Sequence, residues 1–266
     1  MQSKLIFWVL TAVFGLFILF LYGPMIAIFI LSFQGPTGGM TFPLRGVSLH
    51  WFADLFASSR YGDLGGAFTR SMILGLLAMI ITVTVSFFAG LGFRRKFRGS
   101  GVLFYLAIIS LVMPGVLTGL GIGTLFTTLG LQTNWLLSGL GAHLTWTLPF
   151  GLLIMFAVLN RFNGSWEEAA RDAGATRKQV LSQVTLPILF PGLIAVALFG
   201  LTLSYDEFPR SLLTVGTKNT LPLQVASLTA NVTTPALYAI GTLTTALSLA
   251  VIVVAFAAIA LTGRKR

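Results

Sequence analysis

The sequence contains no cysteine and only two histidines, His50 and His143, among its 266 residues. Disulfides, thiol nucleophiles and the usual cysteine–histidine zinc sites are therefore excluded. Charged residues are also scarce, at 9% of the chain, whereas 56% of the chain is hydrophobic. A soluble globule of this size could not cover its surface with so few charges, so the composition predicts an integral membrane protein.

Long polar stretches are missing too, which leaves no room for a separate soluble catalytic domain. We expect one all-α transmembrane domain over residues 1–266, because the chain contains six apolar stretches that can cross a bilayer. The predicted spans are residues 5–33, 71–93, 102–129, 139–160, 188–205 and 236–263. Between them lie outer loops at 34–70 and 206–235 and an inner loop at 161–187. The first span is too long for a signal peptide, so we interpret it as a retained anchor.

The lysines and arginines are distributed unevenly between the two sides of this arrangement. One side holds twelve of the seventeen, including the groups Arg94, Arg95, Lys96 and Arg98 and Arg264, Lys265 and Arg266. Basic residues collect on the cytoplasmic side of membrane proteins, so both termini are predicted to be cytoplasmic. The net charge of +10 is explained by this topology and requires no nucleic-acid partner.

The inner loop is the most polar stretch of the chain and is predicted to contain two short helices. Each begins with capping-box spacing, and the residue pairs are Ser165 with Glu168 and Thr176 with Gln179. Gly174 is suited to end the first helix, and Pro187 is expected to end the second before the fifth span begins. In the third span, Gly115, Gly119 and Gly123 follow Pro114 at four-residue spacing, which indicates close helix packing beside a kink.

The first of these helices has two different faces. A stripe of small apolar residues and tryptophan comprises Trp166, Ala169, Ala170 and Ala173, and the charged face comprises Glu167, Glu168, Arg171 and Asp172. Alanines allow another protein surface to approach closely, and the flanking charges would fix its register. The same pattern also suits a helix that lies on the membrane surface, so the patterning leaves both interpretations open.

The spacing of several residues in this loop resembles the EAA loop of ABC importer permeases. Three residues separate Glu168-Ala169-Ala170 from Gly174, and nine separate Gly174 from Val184-Thr185-Leu186-Pro187. The family usually has an isoleucine-like residue where this chain has valine. The loop also lies between predicted spans four and five, where six-span members of the family carry it.

The resemblance implies a type I ABC importer (MetI-like) permease fold with six transmembrane helices, in which this loop docks into a cytoplasmic ATPase dimer. The residues implied in ATPase coupling are Trp166, Glu168, Ala169, Ala170, Asp172, Gly174, Ala175, Leu186 and Pro187. The chain has no phosphate-binding Gly-x-x-x-x-Gly-Lys-Ser/Thr loop. It is therefore expected to be a non-catalytic subunit without a cofactor, with ATP and magnesium bound by the partner ATPase.

The last third of the chain resembles the PotC-like branch of spermidine/putrescine permeases. The stretches that carry this resemblance are Leu203–Phe208, Thr220–Leu223 and Pro235–Leu243. The branch implies a multi-pass bacterial inner-membrane protein that works with an extracytoplasmic binding protein and a second, PotB-like permease, although a homodimer is also compatible. Polyamines are the favoured solutes, and γ-aminobutyrate, other amino acids, aminophosphonates and thiamine remain compatible.

Three residues at the outer end of the fifth span are candidates for contact with a cationic solute. Asp206 and Glu207 are carboxylates that can hold ammonium groups beside low-dielectric protein, and Tyr205 offers a cation–π face. Arg210 lies within helical reach of both acids and could instead satisfy either of them locally. The spacing alone does not decide between these interpretations.

Two other functional classes have to be weighed. A secondary transporter or channel would also have six spans with polar residues near helix ends. Neither class explains why the chain has an EAA-like loop. An intramembrane enzyme would need paired acids or metal ligands within the spans, and the sequence offers no recognisable set. The ABC importer permease is therefore the favoured prediction.

Overall fold

The computed structural model of the protein describes residues 2–57, 59–95, 97–231 and 233–263. Lys96, Arg264, Lys265 and Arg266, which the charge argument assigns to the inner side, lie outside the described residues. The regular structure of the described residues is helical apart from an isolated antiparallel bridge between Gln34 and Val47. The all-α prediction is therefore confirmed.

The described part of the chain contains eleven α-helices. Their bounds are α1 Gln2–Leu31, α2 His50–Ala57, α3 Leu64–Phe93, α4 Ser100–Val112, α5 Gly115–Thr128, α6 Leu140–Leu159, α7 Ser165–Asp172, α8 Arg177–Gln179, α9 Leu186–Tyr205, α10 Leu221–Asn231 and α11 Ala236–Gly263. Two π-helical segments, Trp135–Gly139 and Val180–Thr185, lead directly into α6 and α9. The chain from α8 to α9 is thus one continuous helical stretch.

Within the described residues, five helical stretches are long and apolar enough to cross a membrane. They are Lys4–Leu31, Leu64–Phe93, Trp135–Leu159, Arg177–Tyr205 and Ala236–Ala258. Each overlaps a predicted span, but three of them begin at least four residues before the predicted start. Arg70, for example, lies inside α3 instead of in the first outer loop, and its Nε donates a 2.7 Å hydrogen bond to the carbonyl of Asn219.

The stretch predicted as the third span, residues 102–129, is not a single helix. It is divided into α4 and α5, which are bent by 107° relative to each other. Pro114 forces the preceding residue out of the helical region, and Met113 accordingly has an extended backbone with ψ of 127°. At about 1.5 Å per residue, α4 and α5 are each about 20 Å long, which is too short to cross the hydrocarbon core alone.

The described residues fall into two compact units, one within residues 1–64 and 225–248 and the other within 65–224 and 249–266. In the first unit, the loop after α1 is held by the buried side chain of Gln34. Its Oε1 accepts a 2.6 Å hydrogen bond from the Arg45 amide, and its Nε2 donates to the carbonyl of Gly39 at 3.1 Å. The hydroxyl of Tyr238 in α11 donates to the Met40 carbonyl at 2.7 Å, so α11 fixes the same loop.

The core of the second unit lies where α3, α6 and α9 meet. Its buried apolar side chains are Phe87, Met155, Leu159, Leu189, Leu193 and Val196. Thr82 and Thr147 form a buried 2.8 Å hydrogen bond between α3 and α6. At Gly200, a β-carbon would lie 3.1 Å from the Cα of Met79, so this glycine lets α9 approach the backbone of α3. Small residues and polar bridges of this kind hold helices together within a membrane.

The glycines of α5 make a second close approach, to the turn that follows α9. A β-carbon at Gly119 would lie 2.8 Å from the carbonyl oxygen of Arg210, and one at Gly123 would lie 2.8 Å from that of Leu213. Gly121 lies between them and has open space around its Cα. The glycine repeat therefore packs α5 against the turn at residues 207–215.

This geometry makes Gly119→Ala a test of the fold. The added methyl group would overlap the Arg210 carbonyl, and we expect a loss of about 1–3 kcal/mol in unfolding free energy. The measurement is the thermal unfolding midpoint of the detergent-solubilised protein. Gly121→Ala is the matched control and should not lower the midpoint, because alanine favours a helix and meets no neighbour there. Equal midpoints for the two variants would contradict the packing.

Candidate functional site

The helix α7 of the predicted coupling loop ends as the sequence predicts but begins differently. Gly174 adopts a φ of 88°, and the amides of Gly174 and Ala175 donate to the carbonyls of Arg171 and Ala170. This is a Schellman motif, which confirms the predicted stop. The predicted first capping box is wrong, because Ser165 is already the first helical residue. Its amide donates a 3.0 Å hydrogen bond to the side-chain oxygen of Asn163.

The second predicted helix begins as expected and does not end where expected. Thr176 and Gln179 form the complete capping box at the start of α8. Pro187, however, does not stop the helix, because it lies in the first turn of α9 directly after the π segment. The wider i→i+5 turns before it leave room for the proline ring, whose missing N–H donor therefore does not break the helix. The coupling loop therefore leads without a break into the fifth apolar span.

Glu167 attaches α7 to the rest of the second unit. Its two carboxylate oxygens accept hydrogen bonds from Arg94 at 3.0 and 3.2 Å, and Oε1 also accepts from the Thr185 hydroxyl at 2.7 Å. Arg171, one turn later, lies 3.8 Å from the other oxygen. The Arg94 guanidinium also stacks over Phe162, at 4.8 Å from the ring centre. We call these residues around Glu167 the Glu167 junction.

The electrostatics of the junction favour the ionised acid. Burial alone would raise the pKa of Glu167, but hydrogen bonds from Arg94 and Thr185 and the charges of Arg94 and Arg171 lower it below its ordinary value. Glu167 was assigned to the charged face of α7, yet its side chain is only 14% exposed. Glu167 therefore attaches this face of α7 to the protein, whereas Glu168 and Asp172 of the same predicted face are exposed.

The predicted coupling residues lie mostly on the opposite, unattached side. The exposed ones are Trp166, Glu168, Ala169, Asp172, Gly174, Leu186 and Pro187, and the half-buried ones are Ala170 and Ala175. With 100° between successive residues, Ala169 points away from Glu167 and Arg171. Trp166 makes an edge-to-face contact with Phe162 and still exposes 46% of its surface. Within the small apolar stripe, Ala169 and Ala173 are therefore exposed.

At the other end of α9, the two candidate acids have different environments. Glu207 is buried and accepts a 2.9 Å hydrogen bond from the Arg210 amide, and its carboxylate also lies 3.3 Å from the Arg210 guanidinium. That guanidinium stacks on Trp146, at 4.5 Å from the ring centre. Arg210 thus pairs with Glu207 and not with Asp206. Asp206 is exposed, and no described residue donates a hydrogen bond to its carboxylate.

His143 holds this region together from α6. Its two ring nitrogens lie 2.7 Å from the Ser204 hydroxyl and 2.8 Å from the Ser211 hydroxyl, and all three side chains are buried. Tyr205 is buried as well, with 6% of its surface exposed. The structure therefore does not bring Tyr205, Asp206 and Glu207 together at one surface. Asp206 alone of the three is available to a solute.

Comparison with known proteins identifies the family that this arrangement of helices belongs to. Residues 82–265 match the family described as the binding-protein-dependent transport system inner membrane component. The chain belongs to this family. It is therefore a multi-pass permease of the inner membrane, in agreement with its several apolar helices.

The relatives of this permease include proteins named as polyamine permeases. It is 29% identical to the spermidine/putrescine permease protein PotC of Haemophilus influenzae over 237 residues, which cover 88% of this chain and 90% of the relative. It is 30% identical to the putrescine permease protein PotI of Escherichia coli over 243 residues, which cover 84% of this chain and 81% of the relative. The predicted family and its polyamine branch are thus confirmed as the relatives of this chain.

Solved structures support the permease fold over the whole chain. A bacterial ABC transporter for the import of alginate matches with a TM-score of 0.69 at 15% identity, covering 99% of this chain and 96% of its own. The methionine ABC transporter MetNI matches with a TM-score of 0.58 at 15% identity, covering 75% and 94%. At such low identity these structures are evidence for the fold alone, and they confirm the predicted MetI-like permease fold.

The residues that attach α7 were not found by sequence reasoning. Arg94 and Glu167 are 73 residues apart, and each matched a simpler pattern, namely a positive span end and a solvated helix face. The remaining signal was the charge of both residues at the same predicted side of the membrane. That signal indicates proximity in general without selecting Glu167 over Glu168.

The permease should lose stability when Glu167 is replaced by glutamine. The variant removes the negative charge of the carboxylate to which Arg94 and Thr185 donate hydrogen bonds. We expect the free energy of unfolding to fall by about 1–2 kcal/mol near neutral pH. Glu168→Gln is the control, because Glu168 is exposed and has no bonded partner among the described residues. Thermal unfolding in detergent is the measurement.

The same comparison has a defined pH dependence. Because the folded-state pKa of Glu167 is lowered, its contribution is present above the ordinary glutamate pKa and is lost as the pH falls through the lowered value. The gap between wild type and Glu167→Gln should therefore close in acid. A gap that stays constant into acid would show that the charge of Glu167 is not what stabilises the protein.

Proposed function

We propose that this permease provides half of the membrane pathway of an ATP-driven polyamine importer and is driven through α7 by a separate ATPase. The observation that carries the proposal is the division of α7 into two faces. Glu167 attaches one face to α3 and α9, and the opposite face presents Ala169 without a partner in the described structure. A helix built in this way can transmit a push between a docked protein and the spans.

The composition of the unattached face supports a protein partner over the membrane surface. It contains the alanines Ala169 and Ala173 flanked by the acids Glu168 and Asp172, and its one large apolar residue is Trp166. A helix that binds a membrane surface has large apolar residues on one face and basic residues on the other. Alanines flanked by acids instead suit close approach by a protein surface with matching charge.

Attachment at Glu167 explains how movement of α7 would reach the pathway. Thr185 precedes α9 by one residue and Arg94 follows α3 by one residue, so both partners of Glu167 lie next to the ends of these two helices. Displacing α7 would therefore pull on both spans at once. The bent helix pair α4–α5 and the spans would then open alternately to the two sides.

The proposed assembly follows from the family and the charge distribution. The positive loop residues direct α7 and both termini to the cytoplasm, where a dimeric ATPase would bind ATP and magnesium. A second permease, homologous or identical, would complete the pathway, and an extracytoplasmic binding protein would deliver the solute. The alginate transporter structure with its periplasmic protein provides an analogy for this arrangement. The permease itself would catalyse no reaction.

Polyamines are the proposed solutes because of the relatives and because of Asp206. PotC and PotI are named as spermidine/putrescine and putrescine permease proteins. Asp206 follows α9 with its carboxylate exposed on one side, and partial desolvation of this group raises the pKa of Asp206 above its ordinary value. A cationic amine would pair with this partly desolvated carboxylate more strongly than with one in bulk water. Glu207 would act indirectly, by fixing the turn through Arg210.

Docking of the ATPase can be tested at Ala169. Ala169→Glu adds a bulky charge to the exposed stripe without touching the Glu167 junction, and we expect the ATPase to be lost when the tagged permease is purified. Gln183→Glu adds the same charge at an exposed position of the π segment and should retain the ATPase. Retention by both variants, or solute uptake by the permease alone, would contradict the proposal.

The solute site can be tested at Asp206 in the assembled transporter. Asp206→Asn removes the charge for the ammonium group, and we expect polyamine uptake and polyamine-stimulated ATP hydrolysis to require about tenfold more solute, from the loss of about 1.4 kcal/mol. Asp206→Glu keeps the charge and should restore most of the response. Wild-type behaviour of Asp206→Asn would remove this residue from the solute pathway.

A further inference from the structure

A basic cavity lies on the attached side of α7, opposite the stripe that is proposed to dock the ATPase. Its volume is about 570 Å³, within the range of small-molecule sites. Four arginines and one acid line it, and these residues are Arg94, Arg95, Arg171, Arg177 and Glu167. They come from the end of α3, from α7 and from the start of α8, so the cavity is formed by three separate helical segments.

The positive charge of this basic cavity is only partly neutralised. Glu167 is bonded to Arg94 through both oxygens and lies 3.8 Å from Arg171. In the part of the chain that the structure describes, no carboxylate lies within ion-pairing distance of the Arg95 or Arg177 side chain. Two guanidinium groups therefore remain available at a concave surface.

Guanidinium groups have a definite ligand preference. They are planar and carry several N–H donors that match the oxygens of phosphate groups in pairs. Thr185 also lines the cavity, but its hydroxyl already donates to Glu167. The polar chemistry of the cavity thus favours a phosphate-bearing anion.

The position of the cavity indicates where such an anion would come from. The apolar part of its lining is formed by Leu91, Val180 and Leu181. The apolar span of α3 ends at Phe93, beside this lining. The stretch Arg177–Tyr205 has 29 residues, whereas about 20 suffice for the hydrocarbon core, so it is long enough for its first two turns to lie in the headgroup layer. An apolar wall beneath free arginines at this depth matches a phospholipid with a negative headgroup.

We propose that the basic cavity binds the phosphate group of an anionic ligand, with Arg95 and Arg177 as its unpaired cationic contacts and the headgroup of an anionic phospholipid as the favoured source. A ligand there would contact α3, α7 and α8 together. It would therefore stabilise the Glu167 junction from the side that the ATPase does not occupy. The site does not depend on which solute the transporter carries.

The test compares lipid binding by two variants of equal net charge in the full-length permease. Arg95→Gln with Arg177→Gln removes the two free cavity arginines. Arg161→Gln with Lys178→Gln removes two exposed charges from the same loop that do not line the cavity. Each protein is titrated with phosphatidylglycerol and with phosphatidylcholine in detergent, and bound lipid is counted by native mass spectrometry.

We expect the cavity variant to bind phosphatidylglycerol about 25-fold more weakly than wild type, at about fivefold for each arginine lost. The control variant should bind it as wild type does, and phosphatidylcholine binding should not depend on either variant. Thermal unfolding before titration identifies a cavity variant that has not folded. In that case the single variants Arg95→Gln and Arg177→Gln are compared with Arg161→Gln.

A second titration, with inorganic phosphate on delipidated permease, separates the two sources of the anion. Protection by phosphate against unfolding that is lost in the cavity variant, without selective phosphatidylglycerol binding, would assign the site to a soluble phosphate. Selective lipid binding that phosphate does not displace would assign it to the headgroup. If the cavity variant binds both as wild type does, or loses only the ATPase, the arginines serve another purpose and the proposal is wrong.

Discussion

Close contact among α3, α6 and α9 is the constraint on which the rest of the second unit depends. Lipid tails are as apolar as the helix surfaces, so burial of apolar side chains does not by itself draw helices together in a membrane. Association requires tight packing and shared polar groups instead. Gly200 supplies close approach, and the Thr82–Thr147 hydrogen bond supplies a polar link where water is absent. These contacts set the positions of both ends of the spans.

Each end of this core holds one carboxylate and leaves its sequence neighbour free. At one end Arg94 and Thr185 bond Glu167, whereas Glu168 is exposed. At the other end Arg210 pairs with Glu207, whereas Asp206 is exposed. The partners come from the packed helices or from the turn that they support, so packing selects which acid becomes structural. The other acid remains available for a partner protein or a solute.

Several local features could be predicted because their causes lie within a few residues. Gly174 ends α7 because the left-handed conformation suits glycine, and Thr176 and Gln179 cap α8 through bonds that span three residues. Two helix boundaries differ from the prediction. Pro187 does not end a helix because a π segment precedes it, and residues 102–129 are two helices that meet at a sharp bend at Met113–Pro114.

The sequence by itself determined the membrane class, the apolar stretches, the loop that resembles the EAA motif and the family, because composition and local spacing are properties of the chain alone. Only the tertiary structure decided which face of α7 is attached, which acid pairs with Arg210 and that four arginines line one cavity. Arg94 and Glu167 are 73 residues apart, and Ser204 and His143 are 61 apart. Such pairings arise when helices pack in three dimensions, and no local spacing encodes them.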